Sequence, residues 1–268
     1  MLVAFILLLF IGGIAMTQAV SDPHAVTLRW LRLGGIIAVT FAAVALTILL
    51  ITAEQRVVAI IVAVIVLLAM LVAQLFAVQL GKHTAQRCLA SVIVTGIVAS
   101  ITAGLLLNPT ADSVVARNLL VSGAIALPSV AASATLLGGC LMTMLLGHAY
   151  LTAGGEMTQQ PFMRLVRMLV IAMIVRATMA MFAGFLPWYR AASEYGFGDP
   201  QLSWQAVMAC ARLLVGFVVS AVLLYMVRDC VRRRANQSAT GILYVLAVTL
   251  IVGEGIAMML VRSTGWAF

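Results

Sequence analysis

From Val57 to Gly81 the chain carries no charged side chain and is almost entirely apolar. A helix rises about 1.5 Å per residue and a bilayer's hydrocarbon core is about 30 Å thick, so a run of this length crosses it once. Eight segments meet that standard: Leu2–Val20, Leu33–Thr52, Val57–Leu80, Cys88–Leu107, Leu119–Leu151, Phe162–Phe185, Trp204–Val227 and Ala239–Val261. Backbone polar groups must be satisfied within the lipid, which leaves helices or closed barrels. The runs do not alternate as barrel strands do, so the expected fold is all-α, a polytopic bundle of eight spans.

Composition agrees. The 268 residues are 64% hydrophobic and 9% charged, with a mean hydropathy of +1.17, whereas soluble domains carry about 25% charged residues. A soluble domain, a disordered chain and a disulfide scaffold are excluded. The first run lacks the positive n-region of a signal peptide and reads as a span. Pro128 falls inside the fifth run, so a separate or kinked piece is expected before it. The longest connection, 186–203, is expected to lie on the membrane surface with Trp188 and Tyr189 at headgroup level.

The net charge is +8, but the basic residues flank apolar runs, so lipid headgroups are the expected partner and nucleic acid is not. The turns after the first, third, fifth and seventh spans hold ten of them: Arg29, Arg32, Lys82, Arg87, Arg164, Arg167, Arg228, Arg232, Arg233 and Arg234. Arg56, Arg117, Arg190 and Arg262, four in all, fall on the other side. By the positive-inside rule both termini are expected outside a bacterial-type inner membrane.

A weak repeat is visible. Arg29 and Arg32 open the second span as Arg164 and Arg167 open the sixth, an offset that also pairs Gly12 with Gly147 and Thr17 with Thr152. Gln86 and Gln237, Gly104 and Gly255 pair at another offset. A parallel 4+4 duplication is expected, with units 1–107 and 108–268 and the polar cluster in the second.

Charges within a span are costly and mark candidate sites. Arg176, Arg212 and Glu254 lie 14 or 15 residues from the same membrane boundary, at a common depth of about 21–23 Å. Small residues share their faces, including Ala172 and Ala180 with Arg176, and Gly216 with Arg212. The three are expected to converge, as an interhelical ion-pair network or as a ligand site with one surplus positive charge. His148 and Tyr150 are candidates for proton or quinone contact. Arg232, Arg233 and Arg234 are candidates for lipid phosphate.

The four cysteines show no CxxC spacing and read as buried free thiols, and the fifteen methionines read as packing. No metal site and no cofactor is predicted, although haem or quinone contact is not excluded. Hydrolase, ATPase and retinal-protein signals are absent. Three classes remain. The favoured one is a non-catalytic subunit or scaffold of a membrane assembly, one that carries electrons among the options, with other membrane subunits as partners. The others are a small secondary transporter for an anionic or proton-coupled solute, and a quinone- or haem-linked oxidoreductase subunit.

Overall fold

A computed structural model of the chain describes residues 2–51, 58–106, 119–153, 158–186, 189 and 200–264. Among them there are no strands, and eight helices are long and apolar enough to cross a membrane. The protein is an all-α, multi-pass membrane bundle.

The helices are α1 (Leu2–Val20), α2 (Leu28–Ile51), α3 (Val58–Gln79), α4 (His83–Leu106) and α5 (Leu119–Ala153). Next comes α6 (Gln160–Ala180), which continues as a π-helical turn over Met181–Phe185. The seventh, α7, covers 200–232 in three parts: Pro200–Ala211, a π-helical stretch Arg212–Val219, and Ser220–Arg232. The last is α8 (Asn236–Thr264). Most helices outrun the apolar segments at their ends, because backbone hydrogen bonding continues into polar residues that lipid contact alone would exclude.

Pro128 does not divide α5, which is helical throughout its 35 residues. Proline removes one backbone donor, and the helix continues through that loss. Most of the 186–203 connection lies outside the described residues.

The core is centred on α5, whose spanning window is mostly buried. Against it α1 packs backbone to backbone. A Cβ on Gly13 would collide with the Ala134 carbonyl, and one on Gly138 with the Phe10 carbonyl. Small residues permit this approach, which supplies dispersion contact where lipid provides no hydrophobic drive. Ile14, Leu136, Leu137 and Met142 close the core around the seam.

The packing order repeats along the chain. In the first half α1 meets α2, α2 meets α3, α3 meets α4 and α4 returns to α1; α5, α6, α7 and α8 meet in the same cycle. The ten basic residues counted above lie in the turns α1–α2, α3–α4, α5–α6 and α7–α8 or in the helix ends beside them, and this is the Arg-rich end of the bundle. Trp30 and Leu31 are buried between exposed Arg29 and Arg32, just as Leu165 and Val166 are buried between exposed Arg164 and Arg167.

Candidate functional site: a buried charge network and its surroundings

The second half supplies four facing helices. Arg176 comes from α6, Arg212 from the first position of the π stretch in α7, and Glu254 from α8; their exposures are 5%, 1% and 3%. Glu254 is the hub. Arg176 meets it side-on, with Nε donating to Oε1 and Nη2 to Oε2, both over 3.3 Å. Arg212 Nη2 donates to Oε1 over 2.9 Å. From α5, Ser133 donates to Glu254 Oε2 over 3.1 Å, and Ser129 Oγ accepts from Arg176 Nη1 over 3.0 Å.

Local packing explains how a full guanidinium fits here. The Arg212 head lies where Cβ atoms on Gly216 and Gly253 would be: each would fall within 3 Å of Nη1. Its other face lies 4.3 Å from the centroid of the Phe217 ring, a stabilising cation–π geometry in a desolvated site. The π stretch adds a residue per turn, bringing Arg212, Gly216 and Phe217 together on the buried side. Such stretches are rare and recur at functional sites. One turn further along α7, Ser220 bonds Thr249 of α8 over 2.9 Å.

Among the described residues the cluster counts two cations and one anion. Arg212 Nε is buried with no hydrogen-bond partner. The serines add neutral oxygens to the charged groups.

His148 and Tyr150 point to different surroundings. His148 is exposed at the Arg-rich end. Tyr150 is buried, donates its hydroxyl to the Thr158 carbonyl and stacks on Phe162 at 5.5 Å, so it fastens the α5–α6 turn. His24 and His83, from the neighbouring turns, lie with ring centroids 5.1 Å apart. Among the described residues no group of three or more His, Cys, Asp or Glu is arranged to hold a metal ion. Arg232, Arg233 and Arg234 are all exposed, and Arg233 pairs with Asp229 over 2.8 Å. The four cysteines are free; Cys140 is buried, whereas Cys88 and Cys210 face outwards rather than inwards.

The first half holds a polar cluster that charge alone does not reveal. Gln18 of α1 donates to the Leu31 carbonyl of α2 over 3.0 Å and accepts from Gln74 of α3. Trp30 Nε1 donates to the Met142 carbonyl over 2.9 Å, tying α2 to α5. Gln86 of α4 is fully buried with both amide atoms unpartnered. Glutamines within or beside apolar runs were the available signal. In comparisons with known proteins, no family model, no curated protein and no solved structure matches the chain.

Proposed function

We propose that the protein is a non-catalytic subunit or scaffold of a membrane assembly in a bacterial-type inner membrane, with both termini outside. The observation that supports this most is the burial and interlocking of the charge network. Every helix of the second half contributes to it, its charges are almost fully buried, and Glu254 is engaged by both arginines and Ser133. Such a network fixes helix register and leaves the outer faces of α2, α3, α7 and α8 free for lipid or neighbouring subunits. Purification in mild detergent tests it: a stoichiometric membrane partner should co-purify, and a chain that purifies alone while catalysing solute flux in proteoliposomes would refute it. Reporter fusions at Phe268 test the orientation, with activity expected only for an extracytoplasmic reporter.

One observation favours a second reading, a transporter for an anionic solute. Arg212 Nε, buried with no hydrogen-bond partner among the described residues, supplies a donor aimed at no protein acceptor. Under that reading, replacing Arg176, Arg212 and Glu254 together by apolar residues abolishes flux even where the fold survives. Under the first, assembly with the partner survives the same replacement.

A further inference from the structure

A groove of about 750 Å³ runs between α1, α5 and α6, apart from the charge network. Its wall on α6 follows one helical stripe: Gln160, Arg164, Arg167, Ile171 and Val175. The stripe is polar at the Arg-rich end and apolar beyond it. Arg164, Arg167 and Ile171 are exposed, so the groove opens sideways towards lipid. At its deep end, level with Val175, the groove is walled by Pro128, Ala131 and Ala132 of α5, small or flat residues that leave room beside the stripe.

We infer that this groove binds one anionic phospholipid from the leaflet on the Arg-rich side, its phosphate on Arg164 and Arg167 and an acyl chain along Ile171 and Val175. Two features specify that occupant. From Arg164 to Val175 the stripe climbs about 17 Å, a little over half of a hydrocarbon core about 30 Å thick, which is the reach of one leaflet. The two guanidiniums stand one turn apart where a phosphate lies, and a guanidinium binds phosphate through paired N–H donors. Among the described residues neither Arg164 nor Arg167 forms an ion pair, not even with Asp22, which borders a smaller recess next to Arg164. Met163 and Met168 line the same wall, and their flexible thioethers adapt to a chain of variable conformation. The inference is independent of whether the protein is a subunit or a transporter.

The test is native mass spectrometry of the full-length protein titrated with phosphatidylglycerol or phosphatidylcholine. One phosphatidylglycerol should be retained in preference to phosphatidylcholine. Arg164→Gln/Arg167→Gln should weaken that retention by roughly 30-fold, since each basic side chain near a headgroup contributes about fivefold. Ala131→Phe, which fills the groove and keeps both arginines, should also displace the lipid. The exposed triple variant Arg232→Gln/Arg233→Gln/Arg234→Gln should retain it. Equal retention of the two lipids, undiminished binding by Ala131→Phe, or competition by millimolar inorganic phosphate alone would overturn the assignment. Circular dichroism of each variant in lipid-free detergent establishes that it is folded before it is scored.

Discussion

Arg212 and Glu254 meet over 2.9 Å at a point where α7 and α8 have given up side-chain volume to let them meet. The bond is a property of two glycines as much as of two charges. A Cβ on Gly253 would fall 2.7 Å from the Gly216 Cα and 2.8 Å from Arg212 Nη1. Gly253→Ala should therefore force the helices apart and cost about 1–3 kcal/mol. Gly255→Ala, two positions away and facing open space, should be neutral or stabilising by up to about 1 kcal/mol. Reversible unfolding in mixed micelles checks both, and equal effects would contradict the packing argument.

Glu254→Gln should destabilise more strongly, by about 3–5 kcal/mol, because two buried guanidiniums lose their counter-charge. Arg176→Met/Arg212→Met/Glu254→Leu should recover most of that loss, since a well-packed apolar substitute avoids the desolvation cost of the ions. The same unfolding assay reads it. A triple variant no more stable than Glu254→Gln would show that the charges contribute more than their mutual compensation.

In the first half, Gln18→Leu leaves the Gln74 amide without its acceptor. A loss of about 1 kcal/mol is expected, in line with interhelical hydrogen bonds in bilayers. Gln74→Leu in the Gln18→Leu background should then add little. Full additivity in a double-mutant cycle would mean that the two side chains do not interact.

At the Arg-rich end Arg234, two residues past the end of α7, has a positive φ of 59°, the left-handed conformation that glycine adopts without strain. Arg234→Gly should stabilise the protein by about 1 kcal/mol. Neighbouring Arg233→Ala, which removes an exposed pair, should leave stability within about 0.5 kcal/mol. Thermal unfolding distinguishes them.

The expected 4+4 duplication is compatible with the packing cycle that each half shows. A permuted chain, 108–268 joined through a flexible linker to 1–107, should then fold with a melting temperature near that of the parent. A permutant that inserts but fails to fold would indicate that the order of the halves matters.

Hydropathy identifies the eight spans because lipid contact demands uninterrupted apolar runs. It misplaces several ends, as at α2, which starts at Leu28 rather than Leu33. The charge triad was legible because so few ionisable residues interrupt the spans, and because equal depth follows from counting along straight helices. Counting fixes height but not which helix faces which. Ser129 and Ser133 are ordinary small residues until α5 is seen between α6 and α8. Gln18 and Gln74 carry no charge and gave no comparable signal. The π stretches have no local signature, since an extra residue per turn is selected by the packing around it.

The contact of Gly13 with Ala134 and Gly138 has a consequence for traffic across the bilayer. Where two main chains touch there is no side chain to swing aside, so at this level the α1–α5 seam cannot be opened by rotamer changes. Rocking one half against the other would have to shear this contact, breaking close-packed dispersion along its length. At this level a solute would have to pass to one side of the α1–α5 seam, and the pair would be a fixed keel for any movement of the helices around it.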